Sequence, residues 1–149
     1  MKKSVRKKIM ACFITIVCLL IGGCGDSSKD QIIAVYDYSD STEKEYGAED
    51  KTAEDLVDQL CDYFLDGEGE AEEIPGEAFS YKRIDVFQTD GASAGQQKTD
   101  ENRIIHMELY QYNDEIYCKA CFDFSDQEHT AKLPAEISAQ VEKLEMEGQ

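Results

Sequence analysis

Four stretches of the chain hold residue types able to do chemistry. CKAC (118 to 121) has the spacing of a redox dithiol. GASAG (91 to 95) fits the G-x-S-x-G turn that exposes a serine nucleophile, here Ser93, with Asp123 and His129 following it in a serviceable order. DGEGEAEEIPGE (66 to 77) sets acids at positions 1, 3, 5, 7 and 12, as a calcium loop does. His106 and Cys121 fall where a hairpin would place them face to face, an imidazole and a thiol being half of a metal site.

The elements that must position these groups argue against most of them. CKAC lies in a strand pattern, and residues an odd number apart on a strand point to opposite faces. Its two thiols therefore neither bond each other nor grip one ion. The serine motif is followed by QQKTDENR, which lacks the apolar periodicity of the buried helix such a turn requires. In the calcium-like loop, position 6 is Ala71 where the sharp turn calls for glycine. Beside His106 and Cys121 the sequence offers no evident remaining ligand. No catalytic residue, metal or cofactor is therefore expected, and the alternative is an extracytoplasmic hydrolase using Ser93.

Residues 52 to 67, TAEDLVDQLCDYFLDG, carry the clearest periodicity. Ala53, Leu56, Val57, Leu60, Cys61, Phe64 and Leu65 recur at helical spacing along one face. Thr52 with Asp55 predicts the N-terminal cap, and Gly67 the stop. IIAVYDYS (32 to 39) and YKRIDVFQ (81 to 88) read as strands, and STEKEYGAEDK between the first strand and the helix as a loop. In 103 to 124 a two-residue turn at Asn113-Asp114 pairs Tyr110 with Tyr117 and Glu108 with Lys119 on one face. The other face then pairs Leu109 with Cys118, Met107 with Ala120 and Ile105 with Phe122. A slip of one residue would mix the two faces. Pro134 opens a short C-terminal helix with a narrow stripe of Ile137, Val141 and Leu144. These elements predict an α+β fold: a small antiparallel sheet of about four strands, one amphipathic helix packed on its apolar face, and a short C-terminal helix. Cys61 and Cys118 both face the core. Helix and sheet layers lie so far apart that their Cα atoms come near or beyond the ~7 Å disulfide limit, and free buried thiols are expected.

Charge bounds the partners. The chain has 149 residues, room for one domain. Its first 23 residues hold five basic groups and no acid, whereas residues 24 to 149 hold ten basic and 32 acidic groups, a formal charge of −22. Nucleic-acid affinity comes largely from Lys and Arg releasing counterions, so a nucleic-acid partner is excluded. Anionic headgroups are repelled for the same reason. A protein or other cationic partner suits the surface.

The leader reads MKKSVRKK, then the 13-residue apolar run IMACFITIVCLLI, then GGCG. A helix over that run rises about 20 Å, short of the ~30 Å hydrocarbon core. Basic start, short apolar run and small residues are the pattern of a secretory signal. Ile21, Gly22, Gly23 and Cys24 resemble the lipobox of bacterial lipoproteins. The resemblance covers only residues 1 to 24. It implies a diacylglyceryl group on the Cys24 thiol, cleavage between Gly23 and Cys24, acylation (palmitate among the chains) and a lipid-anchored position on the extracytoplasmic side of the cell membrane. Two acyl chains hold stably where one is marginal. The expected organisation is a signal peptide over 1 to 23, a polar tether over 24 to 31 and one acidic domain over 32 to 149. That domain is expected to act as a small binding or interaction module. Its expected contact surface is the polar face of the hairpin, with Tyr110, Tyr117, Glu108 and Lys119.

Overall fold

The structure is a computed structural model that describes residues 31–47, 50–67, 70–88 and 98–146. Chain order is β1 (Gln31–Asp37), β2 (Thr42–Tyr46), α1 (Lys51–Leu65), β3 (Phe79–Gln88), β4 (Arg103–Tyr112), β5 (Glu115–Phe122), β6 (Glu128–Lys132) and α2 (Ala135–Met146). The fold is α+β, as expected, but its antiparallel sheet has six strands rather than about four, in the order β2-β1-β3-β4-β5-β6. The two additions are the edge strands. Each is five residues long and mostly polar, TEKEY and EHTAK, so neither shows an apolar alternation. Edge strands are kept short and charged because their outer backbone is unpaired. On β6 the Glu72 N–H donates to the Thr130 carbonyl at 3.1 Å, so the connection after α1 covers part of that edge.

Helix α1 buries Ala53, Leu56, Val57, Leu60, Cys61 and Phe64, the stripe its spacing predicts. Its cap differs from the expected Thr52: the Asp50 carboxylate accepts from the Ala53 N–H at 3.4 Å. The helix leaves the end of β2 and reaches β6, where the Tyr63 hydroxyl donates to the Lys132 carbonyl at 2.9 Å. Helix α2 returns from the end of β6, and the Tyr46 hydroxyl of β2 meets the Leu144 carbonyl at 3.4 Å. Midway, Gln140 donates to Gln59 at 2.8 Å. Both helices thus cross the same face of the sheet. One core forms between them and the inward residues of the strands, including Val35, Ile84, Met107, Leu109, Ile116 and Phe122.

The β4–β5 hairpin has the register expected from its two faces, with Tyr110 opposite Tyr117 and Glu108 opposite Lys119. Asn113 and Asp114 both take positive φ, 50° and 61°, as a two-residue turn of this hand requires.

The exposed side of α1 carries Glu54, Asp58 and Asp62 at successive i, i+4 positions. Partial desolvation by the neighbouring side chains, and then the charges of Glu54, Asp62 and Asp55, push the Asp58 carboxyl above its ordinary value. A carboxyl raised in the fold leaves stability intact below its unfolded value and costs stability as pH rises through the raised one. Like charges at i, i+4 each cost about 0.2–0.5 kcal/mol, and Asp58 has two such neighbours. Asp58→Asn is expected to raise stability by roughly 0.4–1 kcal/mol at pH 7. The gain should shrink toward zero as urea midpoints are followed down through the carboxylate range.

Candidate functional site

With both helices on one side, the opposite face of the sheet carries the alternate residues of every strand. Its middle is a closed circuit of contacts across β1, β3 and β4. The Tyr38 hydroxyl, just past β1, donates to Glu108 Oε2 at 3.0 Å. Glu108 Oε1 lies 3.5 Å from His106 Nε2, and His106 Nδ1 lies 2.5 Å from Asp85 Oδ1. Asp85 Oδ2 faces Arg83 Nε at 2.9 Å. The Arg83 guanidinium sits 5.0 Å from the centre of the Tyr36 ring, which meets Tyr38 edge-on, also at 5.0 Å. Burial and then the facing Glu108 push the Tyr38 phenol up, which keeps it a donor.

Strand pairing builds this circuit. Asp85 and Arg83 on β3 stand opposite His106 and Glu108 on β4, because one register aligns both pairs. Asp85 is the buried member, its side chain 6% exposed, and Arg103 approaches it from a third side at 3.8 Å. A carboxylate this secluded is tolerated when paired. Farther out, Lys98 bridges Glu43 and Glu45 of β2. On the other flank Lys119 reaches Glu128 at 3.1 Å and Lys132 reaches Glu115 at 3.0 Å.

Of the expected contact residues, Tyr110, Glu108 and Lys119 are half-buried on this face. Tyr117 stands on the same face opposite Tyr110 but is buried, and its hydroxyl donates to Glu115 at 3.1 Å. Cys121 stands beside His106 in the hairpin register. Cys118 is buried on the helix side, so the CKAC thiols do part to opposite faces. Cys61 and Cys118 are free and buried. Burial pushes the Cys61 thiol up to about 12, and Cys118 higher still. Such thiols pack as small apolar groups.

Cys24 and Ser93 lie outside the described residues. His129 is on the helix side, its ring 5.9 Å from that of Phe122 and 6.4 Å from that of Phe64, while Asp123 is exposed. Among the described residues, no three His, Cys, Asp or Glu side chains converge on a point where a metal ion could sit. None of the described helices is long and apolar enough to cross a membrane.

Sequence reasoning missed Arg83, Asp85, Tyr36 and Tyr38 as members of one cluster. The alternation in YKRIDVFQ puts Arg83 and Asp85 on the polar parity of their strand. What the sequence lacked was the neighbour that this parity faces. Comparison with known protein families, with characterised proteins and with solved structures gives no match for this chain.

Proposed function

We propose that this chain is a lipid-anchored lipoprotein on the extracytoplasmic side of a bacterial cell membrane, whose acidic domain binds a protein partner with a basic surface. One observation carries the binding role: both helices occupy one face of the sheet, and the other face holds half-exposed aromatic and charged side chains locked in position by their neighbours. A contact surface whose side chains are already ordered loses less freedom on association. Tyrosines on such a surface supply area at low entropic cost. The contact centres on Tyr110, Glu108 and Lys119, with the buried Tyr117 beside Tyr110. The charge of −22 from residue 24 onward selects the basic partner and steers its approach. Location rests on the resemblance of IGGC to a lipobox, with Cys24 as the lipid attachment point.

Metabolic labelling with palmitate should mark the wild-type protein in the membrane fraction. Cys24→Ser should lose both the label and the membrane association, and a labelled variant would refute the anchor. Pull-down with the wild type should recover a partner that Tyr110→Ala/Glu108→Gln recovers at least ten-fold less well. An unchanged partner set would remove this face. Tyr117 is left alone in this test, since a cavity beneath the face would confuse loss of contact with loss of fold.

A further inference from the structure

The two edges of the sheet differ. At β6 the Glu72 N–H closes on the Thr130 carbonyl, whereas among the described residues no backbone bond meets the outer side of β2. Alternation decides which groups that side presents. The Tyr38 N–H donates to the Tyr81 carbonyl at 3.1 Å, so the even-numbered residues of β1 turn their backbone groups toward β3 and the odd-numbered ones toward β2. Val35 and Ile33 therefore exchange hydrogen bonds with Lys44 and Tyr46. The alternate residues of β2, Glu43 and Glu45, turn their N–H and C=O groups outward. Their side chains stand on the open face, where Arg83 reaches Glu43 at 3.5 Å.

We propose that the outer edge of β2 takes up an extended segment of a partner protein as a further strand of the sheet, with Lys or Arg at the two alternate positions that face Glu43 and Glu45. Addition of this kind draws affinity from main-chain hydrogen bonds and specificity from alternate side chains. In antiparallel addition the residues directly opposite Glu43 and Glu45 share their face of the sheet, and opposite charges so placed attract. The residue between them stands opposite Lys44, where another basic side chain would be repelled. The segment is therefore basic, then uncharged or acidic, then basic, in a strand.

The molecule itself shows that this carboxylate pair holds a primary ammonium. Lys98, distant in sequence, bridges Glu43 and Glu45. One ammonium shared between two acids leaves them net negative, and the Glu45 side chain stays 53% exposed. The overall negative charge draws a basic segment toward the domain but does not select this edge. The outward backbone groups of Glu43 and Glu45 do that. Strands β1 and β3 separate β2 from β4, so the edge is distinct from the Tyr110 contact. The inference stands whether or not that contact is used and whether or not Cys24 carries lipid.

The test is binding of a short fluorescent peptide that alternates lysine and valine, read by anisotropy against the full-length protein purified in detergent. The wild type should bind it saturably. Methylating the backbone nitrogens of the lysines removes the donors that meet the Glu43 and Glu45 carbonyls and leaves every charge in place. That change should weaken binding by about ten-fold or more. Glu43→Gln/Glu45→Gln, on an exposed edge, should weaken it by a similar factor. Glu54→Gln/Asp58→Asn removes the same number of charges from α1 and should change it less than about two-fold. A wild type that does not bind, a methylated peptide that binds as well as its parent, or equal losses in the two double variants overturns the proposal. Each of these results leaves the palmitate and pull-down tests unaffected.

Discussion

Replacing Lys82 by alanine is expected to destabilise the domain by about 3 kcal/mol, the low end of the range for breaking a buried ion pair. Lys82 sits on the helix side of β3, its side chain 3% exposed, and its ammonium contacts Asp37 Oδ2 on the neighbouring strand. The Tyr81 ring lies 4.9 Å from the same nitrogen. Removing the lysine strands a carboxylate that is only 18% exposed. Its partial exposure and the two hydrogen bonds it keeps from Ser39 set the low end of the range. Burial pushes the Asp37 carboxyl up, but the hydrogen bonds from Lys82 and Ser39 outweigh it, and it ends below the ordinary value. A lowered carboxyl contributes stability that is present above its unfolded value and is lost as pH falls through the folded one. Wild-type stability should therefore fall on acidification through and below the carboxylate range, and Lys82→Ala should lose part of that dependence. Urea denaturation followed by circular dichroism between pH 7 and pH 3 reads both. A loss under 1 kcal/mol at pH 7 would show that the pair contributes little. Replacing both partners by apolar residues of similar size should cost far less than the single change, since burying two charges offsets most of their attraction.

Leu60→Ala is the second large effect, expected at about 2–5 kcal/mol. Leu60 is fully buried at the middle of α1, between that helix and the sheet. Truncation removes transfer energy and leaves a cavity that neighbours on a regular sheet cannot easily fill. Leu65, only partly buried at the end of the same helix, should cost markedly less when replaced by alanine. The comparison separates core packing from helix propensity, because both changes install the same residue in the same helix. Equal losses at the two positions would contradict the packing described for α1.

What the sequence made legible follows from periodicity. Helix α1 announced itself through seven apolar residues on one stripe, and six of them are buried. The β4–β5 register was readable because only one alignment separates Leu109, Met107 and Ile105 from Tyr110 and Glu108. Strands β2 and β6 were not readable. Each is polar outside one or two inward positions, Tyr46 in β2 and Ala131 in β6, and one or two apolar residues make no period. The cap moved from Thr52 to Asp50 because two plausible capping side chains lie two residues apart, and propensity does not choose between them. The same gaps hid the face that matters. Asp85 could be assigned a parity but not a neighbour, and Glu128 could not be assigned to a strand at all. Hence His106 and Cys121 appeared as an isolated pair, whereas the register sets Asp85 of β3 beside the first and Glu128 of β6 beside the second.

The outer edge of β2 bears on crowding. Wherever copies of a protein meet at high density, open sheet edges invite chain-to-chain pairing. Two β2 edges joined about a two-fold axis, with the helix layers kept on one side, overlap most when centred on residue 43, 44 or 45. The first sets Glu43 against Glu43, the second Glu43 against Glu45 twice, and the third Glu45 against Glu45. Like charges directly opposite are destabilising, so each alignment carries its own repulsion. The five residues that gave no sign of being a strand thus set like charges against each other wherever two β2 edges meet at full overlap.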